Sequence, residues 1–364
     1  MKPLIVFGTR PECIKIISTI HELDNRHIPY IVCVTSQHKE MLAPFLDFFN
    51  IRVDYDLGVM KSGQDLYHVT TETMLGLRKI LRDERPDITI TQGDTTTAFS
   101  SALASFYEGI PIAHIEAGLR TFDLNNPFPE EMNRRLIDHL SSWHFAPTHS
   151  AVQNLAAEGL TGSRTILTGN TVIDAISLIT RDERFQNLSP ALRVESENRL
   201  ILVTAHRRES FGEKFENLCN AMLEIVRNNE NVEIVYPVHL NPNVREPVFR
   251  ILKENSRIHL IEPLDYLPFL KMMQQADLIL TDSGGVQEEA PSLRKPVLIM
   301  RETTERLEGV ELGMARIVGT DLQRIVKCTQ EFLDDPSTSR RALNGHNPYG
   351  DGQAAKRIVD ALTL

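Results

Sequence analysis

Cysteine is scarce in this chain and scattered: Cys13, Cys33, Cys219 and Cys328 lie far apart, with no CxxC pair and no histidine cluster at zinc-finger spacing. Neither a disulfide framework nor a structural metal is signalled, and four buried, reduced thiols are expected. Long apolar runs are missing as well. The first, Leu4 to Phe7, gives way at once to Gly8, Arg10, Glu12 and Lys15, too short and too soon charged for a secretory signal. No stretch approaches the ~20 apolar residues that span a bilayer. No membrane partner is expected, and a cytoplasmic location is. Positive charge is in deficit, 39 Lys and Arg against 49 Asp and Glu, for a net −10. That balance opposes broad binding to nucleic-acid phosphates or anionic lipid, though a local basic pocket stays open. Tandem repeats and low-complexity tracts are absent too.

What is present is ordinary globular material, 41% hydrophobic and 24% charged over 364 residues, enough at ~150 residues per domain for two cores. Short β-branched runs alternate with amphipathic stretches. Leu4 to Phe7, Tyr30 to Val34, Ile88 to Thr91, Ile112 to Ile115 and Trp143 to Ala146 read as buried strands followed by helices, and Arg164 to Thr168 is strand-like. The rhythm restarts after residue 190 with Leu200 to Thr204, Glu233 to Val238, Arg257 to Glu262, Leu278 to Thr281 and Val297 to Met300. The predicted fold class is therefore α/β, two Rossmann-like doubly wound units. Their boundary falls between Thr168 and Arg199, where no Gly/Ser- or Pro-rich linker occurs, so the units are expected to face a shared cleft.

In such sheets the working loops follow the carboxyl ends of strands. After the first strand, Gly8-Thr9-Arg10-Pro11-Glu12 offers a turn glycine, the free amides of a helix start, Arg10 and, a turn later, Lys15, a set that suits a phosphate. A turn glycine beside a solvated arginine accounts for it equally well. Neither G-x-G-x-x-G nor the P-loop pattern is present. Asp94, in Gln92-Gly93-Asp94-Thr95-Thr96-Thr97, is an N-cap or a working acid. Glu116 ends the apolar strand before Ala117-Gly118-Leu119-Arg120; it is a partly desolvated acid or base, or the partner of Arg120. Glu130 and Glu131 open a helix after Pro127 and Pro129, where carboxylates favour the helix dipole in any case. Three carboxylates at three loop ends suggest proton transfer.

In the second half, His206 with Arg207 and Arg208 follows a strand, as a site for an anionic leaving group or as a loop histidine. His239 ends the next strand. Thr281-Asp282-Ser283-Gly284-Gly285-Val286-Gln287-Glu288-Glu289 runs from strand through a glycine turn into a helix. There Ser283 and the amides of Gly284 and Gly285 suit a diphosphate, and Glu289 suits paired ribose hydroxyls.

Taken in order, these segments resemble the non-hydrolysing UDP-N-acetylglucosamine 2-epimerases. Also in register are Glu262-Pro263-Leu264-Asp265-Tyr266, the run to Pro291 and Thr304-Glu305-Arg306, so the resemblance covers nearly the whole chain. It implies a glycosyltransferase-B type architecture with domains at 1–170 and 171–348, and a C-terminal helix, 349–364, returning to the first. It further implies a UDP-sugar substrate, a homodimer, no cofactor or metal, and a place in cell-surface polysaccharide synthesis. In that family UDP leaves to give a 2-acetamidoglucal and is re-added to the other stereoisomer. By resemblance Asp94, Glu116, Glu130 and His206 are the catalytic residues. Arg10, Lys15, Phe269, Ser283, Gly284, Gly285, Glu289 and Arg306 then contact the UDP-sugar. A second, activating site would use Gln37, His38, Arg207 and His239, although Gly63 stands where some members carry arginine. Leu307, Arg294 and Leu240 replace the family's usual Pro, Gly and Pro. Competing readings are epimerisation of a modified UDP-sugar, the hydrolysing relative that releases free N-acetylmannosamine, glycosyl transfer on the same architecture, and a catalytically silent UDP-sugar sensor.

Overall fold

The computed structural model describes the chain apart from residues 37–38, 62, 193–196, 305, 336–346 and 364. It divides into two units, Met1–Ala175 with Tyr349–Leu364, and Ile176–Pro348.

The first unit holds seven parallel strands: β1 Pro3–Phe7, β2 Ile31–Val34, β3 Tyr55–Asp56, β4 Ile88–Gln92, β5 Ile112–Ile115, β6 Trp143–Ala146 and β7 Thr165–Leu167. Their order is β3-β2-β1-β4-β5-β6-β7. β1 and β2 are buried at every residue, which is why they read as unbroken apolar runs rather than alternating ones, and β5 is equally buried although it carries His114. The helices are α1 Arg10–Asn25, α2 Lys39–Phe48, α3 Leu66–Glu84, α4 Thr96–Tyr107, α5 Glu130–Leu140 and α6 His149–Ala157, and α7 Thr171–Arg181 begins in this unit and ends in the second. A capping box starts α1, pairing Thr9 with Glu12. Leu77 and Leu81 of α3 close over Leu4, Val6, Ile31 and Cys33. α4 buries small residues instead, and the Ser105 hydroxyl bonds Thr89 Oγ1 at 2.8 Å and the Ser101 carbonyl at 2.8 Å, so neither serine nor threonine is left unpaired there.

The second unit repeats the plan with β8 Arg199–Thr204, β9 Val232–Pro237, β10 Ile258–Ile261, β11 Leu278–Thr281, β12 Val297–Ile299 and β13 Ala315–Ile317, in the order β10-β9-β8-β11-β12-β13. Its helices are α8 Glu183–Gln186, α9 Glu213–Asn228, α10 Pro242–Leu252, α11 Tyr266–Gln275, α12 Gly284–Glu289, α13 Leu307–Glu311 and α14 Leu322–Asp334. Phe215, Leu218, Met222 and Ile225 of α9 pack with Ile325 and Leu333 of α14 over Ile201, Val203 and Ile234. The last helix, α15 Ala354–Thr363, belongs to the first unit. Arg26 of α1 pairs with Asp360 at 2.7 Å, and Asp174 accepts the Ala355 amide at 3.0 Å.

In each sheet the strand order reverses at one place, between β1 and β4 in the first unit and between β8 and β11 in the second. Loops that follow neighbouring strands at such a reversal diverge and leave room for a ligand. All the strands expected from sequence form, within a residue at each end. Two were not expected: β3, two residues at a sheet edge, and β13, three residues in which only Ala315 is buried. All four cysteines are free and buried. Among the described residues no helix is long and apolar enough to cross a membrane.

Candidate active site

In the first unit the loops after β1, β4 and β5 meet. Gly8 is needed there for space rather than for a turn: a Cβ would lie 2.1 Å from Thr35 Oγ1 and 2.7 Å from Thr97 Oγ1. Fully buried Glu12 accepts the Gly8 amide at 3.0 Å, the Thr9 amide at 2.7 Å, the Thr9 hydroxyl at 2.8 Å and the Thr95 hydroxyl at 2.5 Å. Burial pushes its carboxyl above the usual range, against the pull of those donors. Glu12 thereby ties the loop after β1 to the residue beside Asp94.

Glu116 is the first residue beyond β5 and adopts φ 72°, the left-handed region that costs a non-glycine residue on the order of 1 kcal/mol. The turn is locked by the Glu116 and Ala117 amides, which donate to the Phe145 carbonyl at 3.0 and 3.2 Å. It sends the carboxylate towards α1, where Lys15 Nζ lies 2.7 Å from both oxygens, and Gln92 at the end of β4 donates to it as well. The Arg120 pairing does not form; Arg120 binds Asp138 at 2.8 Å and Glu158 at 2.7 Å instead. Asp138 also bonds His114 at 2.6 Å and accepts the Gly118 amide at 3.2 Å. Burial would raise the Asp138 carboxyl, but His114 and Arg120 together hold it below its usual value.

Asp94 is not an N-cap. Thr95 caps α4, its hydroxyl accepting the Ala98 amide, while the Asp94 carboxylate takes two bonds from Arg134 of α5 at 3.0 and 2.5 Å. Asn133 donates to the Asp94 carbonyl at 2.9 Å. Glu130 and Glu131 do open α5. Buried Glu131 accepts the Thr121 and Phe122 amides at 3.0 and 3.2 Å, whereas half-buried Glu130 makes no hydrogen bond or ion pair among the described residues. The first unit therefore brings Lys15, Glu116, Asp94 and the start of α5 to one end of its sheet. Arg10 is the first residue of α1 at that same end.

In the second unit, the loops after β8, β9 and β11 converge likewise. His206 and Arg207 donate their amides to Asp282 Oδ2 at 2.6 and 2.7 Å. The His206 ring stacks on His239, centroids 5.5 Å apart at 16°. Burial pulls the His206 imidazole below its usual value, opposed by Asp282. Ser283 sits at the N-cap of α12 and spends no side-chain bond on capping. Gly284 is held for space, since a Cβ there would lie 2.9 Å from the Arg306 guanidinium carbon, whereas Gly285 has nothing nearer than 3.9 Å. Arg306 bonds Glu288 at 2.9 Å. Glu289 closes α12 and Phe269 lies half-buried on α11. Gln37 and His38 fall outside the described residues. Among the described residues no group of His, Cys, Asp and Glu could hold a metal ion.

Sequence reasoning missed Asp282 and Glu12 as organisers of these loops. Each sits inside a motif already singled out, but the Asp282 donors are backbone amides, which carry no signal in side-chain identity, and Glu12 adds to two amides the hydroxyls of Thr9 and of the distant Thr95.

Comparison with known proteins places these features in a family. The family model for UDP-N-acetylglucosamine 2-epimerase matches residues 21–363. A UDP-N-acetylglucosamine 2-epimerase of Salmonella typhimurium is 52% identical over 100% of this chain and 98% of its own length. Among solved structures, a putative UDP-N-acetylglucosamine 2-epimerase from Listeria monocytogenes is 43% identical with a TM-score of 0.90, covering 100% of this chain and 95% of that one. The UDP-GlcNAc 2-epimerase from Neisseria meningitidis, solved bound to UDP-GlcNAc, is 45% identical with a TM-score of 0.89, covering 100% of both chains. This chain belongs to the UDP-N-acetylglucosamine 2-epimerase family.

Proposed function

We propose that the protein is a non-hydrolysing epimerase that interconverts UDP-N-acetylglucosamine and UDP-N-acetylmannosamine. The observation that carries this reading is the set of three carboxylates at one sheet end, Asp94 and Glu116 each held by a cation and Glu130 at the start of the helix that supplies Arg134. The C2 proton of the sugar is not acidic enough for direct removal. Departure of UDP breaks the C1–O bond and acidifies it. One carboxylate then takes the proton, leaving a C1–C2 double bond, and another returns a proton on the opposite face as UDP re-adds. No electrons are gained or lost overall, so the reaction as written calls for no redox cofactor.

His206 stands against the departing diphosphate in this reading, with Arg10, Lys15, Ser283, Gly284, Gly285, Glu289, Arg306 and Phe269 around the UDP-sugar. Arg207 and His239, with Gln37 and His38, belong to the candidate activating site. The product supplies cell-surface polysaccharide synthesis in the cytoplasm, and the enzyme works as a homodimer. A bound UDP-GlcNAc in the Neisseria neighbour supports the choice of substrate.

The test is proton NMR of the purified protein with UDP-N-acetylglucosamine in D2O and no added cofactor. A growing UDP-N-acetylmannosamine anomeric signal with deuterium at C2 is expected. Free UDP with free N-acetylmannosamine would place the protein in the hydrolysing branch, and unchanged substrate would point to a modified UDP-sugar. Asp94→Asn should lower turnover by orders of magnitude with the fold intact; a near-normal rate would remove Asp94 from the mechanism.

A further inference from the structure

The strongest relationship of a residue without an assigned role is that of Asp282 with His206. β8 and β11 are parallel neighbours with Thr204 opposite Thr281, so the residues just past each strand emerge side by side. The Asp282 amide donates to the Thr204 carbonyl at 3.1 Å, fixing that register to the loop itself. Asp282 is completely buried, and Oδ2 is saturated by the His206 and Arg207 amides. Oδ1 is also buried, accepts no hydrogen bond among the described residues, and lies 3.4 Å from His206 Nδ1. On the ring's face stands His239 from the end of β9. Three strand ends thus hold one imidazole.

A buried carboxylate oxygen without a donor is costly, and the nearby ring nitrogen can satisfy it with a shift of about 0.3 Å. We propose that Asp282 is a positioning residue for His206, holding the imidazole in the tautomer with the proton on Nδ1 and leaving Nε2 as the nitrogen that meets the leaving diphosphate. The assignment of His206 to the diphosphate rests on the function proposed above; the tautomer does not. The charged and titratable groups that face the ring are Asp282, His239 and Arg207. Of these only Asp282 favours a positive ring, and it does so from the Nδ1 side. His206 is therefore arranged to take up a solvent proton at Nε2 when the anionic diphosphate binds beside it, and to give that proton back to solvent when the ligand dissociates.

Asp282→Asn separates this role from bulk. Asparagine keeps an oxygen for the two amides and turns an NH2 towards Nδ1, which reverses the favoured tautomer. Long-range proton–nitrogen correlation NMR of the free protein, with the His206 signal assigned by loss in His206→Gln, should show Nδ1–H in the native chain and Nε2–H in the variant. Turnover of UDP-N-acetylglucosamine should fall by roughly 10²-fold or more while KM changes less than threefold, and Asp282→Glu should recover part of the loss. An Nε2–H tautomer in the native chain, or a native-like tautomer in the variant, overturns the proposal whatever the activity. A reversed tautomer with unchanged kcat overturns it too. Should the native protein not epimerise this substrate, the proposed function fails while the tautomer result still decides the role of Asp282. If Asp282→Asn does not fold, the native tautomer alone is decisive.

Discussion

Lys15 Nζ lies 2.7 Å from each oxygen of Glu116, joining the first helix to the loop after β5 across 101 positions of sequence. Both side chains are nearly buried, 15% and 10% exposed, so the pair is poorly screened by water. It also restrains a residue whose backbone lies in the left-handed region.

Replacing Lys15 by methionine keeps the apolar stem and removes the charge. A carboxylate left beside Gln92 without its ammonium should cost about 2–4 kcal/mol of stability and at least tenfold in kcat. Denaturant unfolding and initial rates check both; an unchanged rate would make the pair purely structural.

Gly284→Ala should lower the melting temperature only as far as it loosens the Arg306–Glu288 pair, because the atom it strikes is the far end of a flexible arginine. Displacing Arg306 should nevertheless weaken UDP binding about tenfold or more, as expected when a charged partner of a phosphate is lost. Gly285→Ala, which meets only ordinary protein contacts and keeps its backbone amide, separates displacement of Arg306 from crowding of the ligand itself. Calorimetric titration with UDP distinguishes them.

Asp138 anchors His114, Arg120 and the turn at Gly118. Asp138→Asn should cost about 3–5 kcal/mol, since Arg120 and His114 lose a buried partner. The carboxyl titrates below its usual value in the folded protein, and so does Glu158, chiefly through its bond to Arg120. Their stabilisation is therefore complete above the ordinary carboxylate range, and is lost as pH falls from that range through the depressed folded values. Urea midpoints followed from pH 7 to pH 3 should fall less steeply in the variant than in the native chain.

Arg294 adopts φ 55° where the helical turn Ala290–Leu293 ends. Glycine fits that conformation without strain, so Arg294→Gly should raise stability by about 0.5–1 kcal/mol despite the added freedom of the unfolded chain. Thermal unfolding checks the sign.

Glu116 and Asp94 show how far the sequence carried the site. Both were recognisable as acids just past short β-branched segments, Ile88 to Thr91 and Ile112 to Ile115, because the loops after parallel strands carry the polar residues that the buried segments lack. Their partners were not recognisable. Arg120, four residues from Glu116, was the local choice, yet it turns to Asp138 and Glu158, and Lys15 takes its place. The strand β3 escaped notice because two residues carry no measurable period, and β13 because its three residues, Ala315-Arg316-Ile317, put an exposed arginine in the middle and leave no apolar run to read.

The sequence by itself determined the two βαβ series, the ends of their strands, and the motifs that mark the family. These are local properties, written in apolar runs, glycines and polar residues close together in the chain. Only the tertiary structure decided that Thr204 stands opposite Thr281, so that Asp282 is buried against His206, and that α1 delivers Lys15 to Glu116. Those pairings depend on strand order and on which loop lies beside which at the reversal of the sheet, and sequence spacing contains neither.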